Sequence, residues 1–444
     1  MVTRLEPRSP KGMRDLLPDA MIRRRYVMDR VREVFEEFGF GPLETPALEL
    51  EETLLGKYGA DAEKLIYTAQ HPHGKERLAL RYDLSVPLAR VIAMHQDLPK
   101  PFKRYQIAPV WRAERPQKGR YREFYQCDVD TVGAPGMLAD AEILQVIHEV
   151  LRRLGFTAFT IKLNNRKILN GIGKFAGVPA DLLPGLYRAI DKLERIGLEG
   201  VEKELQDNRI PAPAIRRLMA LLQVSGDGRQ VLEGLRERLV PYREAVEGIE
   251  ELEEILRHLE AMAVPLDPVR VEFSMVRGLE YYTGPIYETV VDRPRIGSLT
   301  GGGRYDRLIG MFTGRDLPAT GTTIGIERLI DVMEELAMLP ARMGRSVAHV
   351  LVTVFDRGLL AESLRLAGQL RQDGVRTEVF LEPRPLSDQM RYANKTGIPV
   401  AVFLGPEEVR AGRVKLRHLG TGEERTVETD QAVGVVRGWV EARG

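Results

Sequence analysis

Residues 102–130, FKRYQIAPVWRAERPQKGRYREFYQCDVD, carry the reading on which the fold of this chain turns. They read as two strands flanking a polar, glycine-containing loop. Tyr105, Ile107 and Trp111 mark the first strand; Tyr121, Tyr125, Cys127 and Val129 share one side of the second. Side chains alternate along a strand, so Arg120, Arg122, Phe124, Gln126, Asp128 and Asp130 face the other way. At roughly 3.3 Å per residue, Arg120 and Asp130 would stand about 33 Å apart on a straight strand. The expected face is graded, cationic at the loop end and acidic at the far end. It suits a ligand with a phosphate chain at one end and a positive group at the other. A solvated hairpin explains any one of these arginines better than a site does, but the remaining motifs shift that balance.

Working outward, 444 residues suffice for two or three domains. A hydrophobic fraction of 43% and a net charge of +1 describe an ordinary globular protein. No apolar run approaches the roughly 18 residues that span a bilayer. The N-terminal segment MVTRLEPRSPKGMRDLLPDA lacks the apolar core of a signal peptide, so the expected compartment is the cytoplasm, with no membrane partner. The single cysteine, Cys127, excludes an intramolecular disulfide and a multi-cysteine metal cluster, and it reads as a packed thiol. The near-zero net charge argues against a generically basic nucleic-acid binder but permits a local basic surface. Residues 102–126 hold seven Lys and Arg against Glu114 and Glu123.

Met21, Val27, Val31, Val34, Phe35 and Phe38 recur at helical spacing, which predicts a helix over 21–38, ended by Gly39. A strand over 78–83 leads to a helix beginning near Ser85. From 161 to 263 helical patterns dominate with no strand run, as in an insertion between two strand-rich halves. Strand character resumes over 269–292, followed by Gly-rich GSLTGGGRYD. A strand-to-helix segment comes next, with Leu329, Val332, Met333 and Leu336 as its buried stripe. Residues 340–345 read as a linker. Beyond them strands and helices alternate as an independent α/β domain, with helices over 360–372 and 386–396.

Four motifs carry the chemistry. RGLEYYTG at 277–284 sets Arg277, Tyr281 and Tyr282 on a strand bracketed by glycines, which admit close approach of a ligand or of a neighbouring strand. GGGRYD at 301–306 is a flexible turn or a floor for a flat ligand, and lacks the order of a P-loop. In GIERL at 325–329, Arg328 lies near a helix N-terminus, where a cation opposes the helix dipole unless an anion is close. LRYDLS at 80–85 ends a strand with Asp83 and Ser85, which as a helix cap need no further role. His71 and His73 fit a polar hairpin loop better than a metal pair.

In this order the pieces resemble the histidyl-tRNA synthetases, a family of class II aminoacyl-tRNA synthetases, essentially end to end. The segment around Pro46 looks like class motif 1, residues 102–130 like motif 2 and residues 325–329 like motif 3. RGLEYYTG and GGGRYD look like the two signatures specific to histidine. The resemblance implies an α+β fold: an antiparallel catalytic sheet of six to seven strands over 1–335, interrupted by a helical insertion at about 164–263, and an anticodon-binding α/β domain over 346–444. It implies ATP and L-histidine as substrates, Mg2+ accompanying ATP with no dedicated protein site, tRNA(His) as partner, and a homodimer. Histidine and ATP would give histidyl-adenylate and pyrophosphate, and the histidyl group would then move to the 3′ end of the tRNA.

By position, Arg112, Arg328, Glu114 and Arg120 match ATP contacts, with Arg112, Arg277 and Arg328 as the catalytic cations. Arg112 and Arg277 also match histidine contacts, Arg277 lying beside the α-phosphate and the histidine carboxylate. Asp83, Ser85 and Gln126 match the ammonium side, and Asp130 and Tyr282 the imidazole readers, walled by Tyr281 and Tyr305. Arg115, Gln117 and Lys118 would meet the tRNA acceptor end. Departures include Asp83 where many bacterial members carry Glu, Glu280 where Asp is frequent and Arg307 where Gly is frequent; none removes a required charge. A non-catalytic, histidine-binding paralogue is the competing class. Such proteins usually lack the C-terminal domain and erode the arginines, whereas here both are present.

Overall fold

The computed structural model describes residues 5–57, 63–117, 119–276, 281–340, 343–382 and 384–441. The chain forms two compact units, Met1–Arg14 with Val27–Met338 and Asp15–Tyr26 with Leu339–Gly444. Among the described residues no helix is long and apolar enough to cross a membrane.

The strands of the first unit, in chain order, are Gly41–Pro42 (β1), Leu48–Leu50 (β2), Thr68–Ala69 (β3), Leu78–Leu80 (β4), Phe102–Trp111 (β5) and Glu123–Val132 (β6). Then come Thr160–Asn165 (β7), Val269–Val271 (β8), Pro285–Val290 (β9), Thr300–Arg304 (β10) and Ala319–Gly325 (β11). One sheet runs β1-β5-β6-β11-β10-β9-β7-β8, and a small one runs β2-β4-β3. Within the large sheet, β5 through β7 pair antiparallel, while the short outer strands β1 and β8 join in parallel. The expected antiparallel core is there with six strands, and the two edge additions make the sheet eight-stranded and mixed. Between β7 and β8 the chain is helical, from Arg166–Ala176 to Arg243–Ala261.

The β5–β6 hairpin is in register from Phe102↔Val132 to Trp111↔Glu123. Its second strand therefore starts later than alternation suggested. Gln117 and Arg120 exchange backbone hydrogen bonds of 3.0 and 2.9 Å that close a tight turn, and the Arg122 N–H donates to the Gly12 carbonyl at 2.9 Å. Arg120 and Arg122 thus belong to the loop. Three further expectations are corrected. Of the two readings open for GGGRYD, the flexible turn is the one corrected, since GGGR lies in β10, in mid-sheet. Tyr281 and Tyr282 precede β9 and are not on a strand. Thr160–Asn165 is a sheet strand at the start of the stretch read as wholly helical. In the helix Ile326–Glu335, Ile326, Leu329, Val332 and Met333 are buried, but Leu336 lies past its end, 47% exposed.

Glycine in β10 has a steric cause. A Cβ on Gly302 would collide with the Gly321 carbonyl, and would stand 2.7 Å from Thr322 Cα and 2.8 Å from the Tyr287 ring. On the back of the sheet, Arg304 pairs with Asp140 of the helix Leu138–Arg153, and Thr320 donates to the same carboxylate at 2.8 Å.

The second unit holds Val350–Val352 (β12), Thr377–Val379 (β13), Val400–Phe403 (β14), Arg413–His418 (β15) and Glu424–Glu428 (β16), ordered β13-β12-β14-β15-β16. The first three are parallel, connected through the helices Leu360–Gln372 and Leu386–Thr396 whose positions the sequence predicts. Val350, Val352, Leu366, Leu370, Val402 and Leu416 form its core. The helix Pro406–Ala411 and β16 were not anticipated.

Replacing Gly302 by Ala should force β9, β10 and β11 apart and cost about 1–3 kcal/mol. A drop of several degrees in thermal midpoint is expected; an unchanged midpoint would show that the close approach is not needed.

Candidate active site

Register assigns the residues to faces. Gln106, Asp128, Thr323, Gly301 and Glu288 form one row across β5, β6, β11, β10 and β9. The next row is Arg104, Asp130, Gly321, Gly303 and Ile286. Glycines thus leave the centre of this face bare. A cavity of about 460 Å³ opens over it, lined by acids at one end and cations at the other.

At the acidic end three carboxylates are almost sealed from water: Asp83, Asp128 and Asp130 are 2%, 3% and 2% exposed. Asp83 Oδ1 accepts the N–H groups of Ser85 and Val86 at 3.1 and 3.0 Å, satisfying two donors at the start of the helix Ser85–Met94, and the Tyr281 hydroxyl stands 3.5 Å from its Oδ2. Asp130 accepts a short hydrogen bond from the Tyr305 hydroxyl, and its Oδ2 lies 2.8 Å from the fully buried Arg104 guanidinium. A Cβ on Gly321 would strike the Asp130 carboxylate, so glycine there makes room for it. Burial raises the Asp130 pKa, opposed by Arg104 and the Tyr305 hydroxyl. Burial lifts the Asp128 pKa to about 7, with Arg104 opposing and Asp130 adding to the rise.

The tyrosines wall this end. Tyr281 packs edge-on against Tyr282 and Tyr305, with ring centroids 5.1 and 5.8 Å apart. Gly303 gives space to the Tyr282 ring, which would sit 2.9 Å from a Cβ. Burial and then the nearby Asp83, Asp128 and Asp130 raise the Tyr282 pKa, so its hydroxyl stays a proton donor. Gln126 donates to Thr323 Oγ1 at 3.1 Å.

At the cationic end, Arg112 lies between the rings of Tyr82 and Phe124, 4.3 and 5.1 Å from their centroids, and donates to the Tyr82 carbonyl at 3.1 Å. Arg328, in the first turn of Ile326–Glu335, donates to the carbonyls of Ser298 at 2.6 Å and Gly119 at 3.2 Å. Its pKa is lowered by burial and then by repulsion from Arg120 and Arg112. Arg120 itself is 3.1 Å from Glu114. Guanidinium groups held this close create a strong preference for a polyanion.

Of the residues singled out from the sequence, Asp83, Ser85, Arg112, Glu114, Arg120, Gln126, Asp130, Tyr281, Tyr282, Tyr305 and Arg328 all line this one cavity. Arg115 and Gln117 are exposed and outside it, on the loop tip. Arg277 and Lys118 fall outside the described residues. Sequence reasoning passed over Asp128, although it shares the face of Asp130, and passed over Arg104, whose place emerges only from the Arg104↔Asp130 register. It also missed Arg14, which stacks on Tyr121 at 3.5 Å and lies 4.0 Å from Glu327.

Residues 12–329 match the histidyl-tRNA synthetase family, and residues 349–439 the anticodon binding domain family. The histidine–tRNA ligase of Aeropyrum pernix is 46% identical over 433 residues, covering 97% of this chain and 98% of that protein. That of Porphyromonas gingivalis is 41% identical over 449 residues, 96% and 98% of the two chains. The crystal structure of histidyl-tRNA synthetase from Nostoc superposes with a TM-score of 0.86 at 31% identity, covering 98% and 99% of the two chains.

Replacing Arg104 by Met would leave the Asp130 carboxylate buried beside no cation. Losing one partner of such a pair costs about 3–5 kcal/mol, so the urea midpoint at neutral pH should fall sharply; an unaltered midpoint would mean the pair contributes nothing to folding.

Proposed function

The chain belongs to the histidyl-tRNA synthetase family, and from that premise we propose how its cavity divides the work. It is an aminoacyl-tRNA ligase: with ATP it activates histidine and charges tRNA. In our reading Arg112, Arg120 and Arg328, with Glu114, receive the nucleotide and its phosphates, and the acidic end receives the amino acid. Asp83, Ser85 and Gln126 take the ammonium, while Asp130 and Tyr282 read the imidazole between Tyr281 and Tyr305. An acceptor and a hydroxyl on the two ring nitrogens select one tautomer and reject side chains that leave them unpaired.

The observation that carries this division is the polarity of one cavity. Its cations repel one another at one end, and three sealed carboxylates crowd the other. The histidine carboxylate attacks the α-phosphorus, and pyrophosphate leaves. A ribose hydroxyl of the tRNA terminus then attacks the acyl carbon, and AMP leaves. Neither step needs a covalent enzyme intermediate; positioning and charge stabilisation suffice. Arg112 suits that role because two rings and a carbonyl already fix it, so little reorganisation accompanies the reaction. By its match to the family, Arg277 is assigned to the α-phosphate and the histidine carboxylate.

Mg2+ is taken to arrive on the nucleotide's phosphates. The exposed tip carrying Arg115 and Gln117, with Lys118, is assigned to the acceptor end, and residues 346–444 to the anticodon. Catalytic residues are assigned to 1–335, around the helical insertion. Leu48, Leu50 and Leu55 support a homodimer through the motif 1 segment, being 43%, 40% and 39% exposed. A cytoplasmic location accords with the lone cysteine.

Pyrophosphate exchange assayed with each of the twenty amino acids should respond to histidine alone; exchange driven equally by another would sink the assignment. Replacing Asp130 by Asn should raise the histidine KM at least tenfold while leaving that for ATP within a factor of about two. Equal effects on both substrates would contradict the imidazole role. Truncation after Pro340 should keep some adenylate formation and lose efficient tRNA charging, and unimpaired charging would count against an anticodon role for 346–444.

A further inference from the structure

The acidic end holds one more carboxylate than the assigned contacts use. Asp128 lies on β6 between Gln126 and Asp130, on the same face, and lines the cavity. It is 3% exposed, and its buried Oδ1 has no hydrogen-bond partner. Its surroundings explain why. From β5, Gln106 donates instead to Thr45 Oγ1 at 3.1 Å, and Arg104 is drawn to Asp130 Oδ2 at 2.8 Å. From β11, Thr323 stands opposite Asp128, and its hydroxyl accepts the Gln126 amide at 3.1 Å. Asp83 and Asp130 are its anionic neighbours, Arg104 and Arg81 its cationic ones, and Tyr282 and Tyr305 feel its charge. A buried acceptor without a partner, on a side chain that lines a cavity, is what a ligand donor would complete.

We propose that Asp128 is a specificity-determining residue of the amino-acid subsite, its Oδ1 accepting an N–H of the substrate's α-ammonium group. The inference rests on the assignment of this end of the cavity to the amino acid. Its position next to Gln126, on the ammonium side, separates it from Asp130, whose two oxygens are turned to Tyr305 and Arg104. Without ligand, the Arg104 guanidinium favours the ionised form of Asp130, and Asp128, its pKa raised to about 7, is about half protonated at neutral pH. On binding, that proton leaves to solvent and an ammonium N–H replaces it on the carboxylate. The ammonium keeps its charge, so one proton is released for each Asp128 that was protonated.

Asp128 also carries a stability signature. Its folded pKa of about 7 lies above the ordinary aspartate value of 3.8. The folded state therefore holds an extra proton between those values. Stability contributed by this group is greatest at low pH, declines as pH rises from about 4 to about 7, and is level above that.

The test uses the full chain and the Asp128→Asn variant, with competition against histidine in pyrophosphate exchange. Histidinol keeps the ammonium and imidazole; imidazolepropanoate keeps the imidazole and carboxylate but has no ammonium. In the variant, histidinol should bind about tenfold or more weakly, as for loss of a charge-assisted hydrogen bond, and imidazolepropanoate should be little changed. Equal weakening of both, or of neither, overturns the proposal. The unmodified chain supplies a second readout. Calorimetry of histidinol binding at pH 7 in two buffers of different ionisation enthalpy should show about half a proton more released by the unmodified chain than by the Asp128→Asn variant. Equal proton release by the two chains also overturns it. Exchange by the unmodified chain with histidine tests the ligase reading separately, so failure of one is distinguishable from failure of the other.

Discussion

Removing a carboxylate from water costs several kcal/mol unless something replaces the water. The cavity floor buries three such groups together, Asp83, Asp128 and Asp130, with one fully buried guanidinium, Arg104, among them. Each meets the cost differently. Asp83 turns to the free N–H groups of a helix start, and Asp130 takes Arg104 and Tyr305. Asp128 has no cation of its own and retains a proton up to about pH 7. The sheet must hold these side chains in fixed relation, because a shift of one residue in register would turn the row to the other face.

The opposite end faces the complementary problem. Arg112, Arg120 and Arg328 repel one another, and each is held by neutral or oppositely charged neighbours: aromatic faces and a carbonyl, a glutamate, two loop carbonyls. Such anchoring pre-sets donors where negative charge accumulates, and the enclosed site strengthens each interaction relative to water. Under the proposed division, a substrate pair carrying phosphates at one end and a cation at the other would relieve both strains at once, and specificity and catalysis would draw on the same electrostatic mismatch.

Packing behind the floor explains why the signature GGGRYD mixes such different residues. Gly302 and Gly303 allow close approach of backbone and of the Tyr282 ring, while a Cβ on Gly301 would meet open space. Arg304 points away from the cavity into a buried network with Asp140, which Thr320 and Tyr287 extend. Tyr305 returns to the front to bind Asp130. Signature residues thus divide between lining the cavity and holding the strand that lines it.

Local pattern determined much of this protein. The hairpin of β5 and β6, the helices Leu360–Gln372 and Leu386–Thr396, and the set of polar residues that converge on one cavity all follow from alternation, helical spacing and turn residues, which act over a few positions of chain. Family resemblance supplied the identity of the chemistry. What tertiary structure decided was anything that depends on which strand lies beside which. The start of β6 at Glu123 is set by the Gly12 carbonyl, 110 positions earlier in the chain than Arg122. The strand state of the triple glycine comes from its neighbours β9 and β11. The roles of Arg104 and Asp128 come from a cross-strand register and from burial, and no local pattern encodes how much water a side chain will lose.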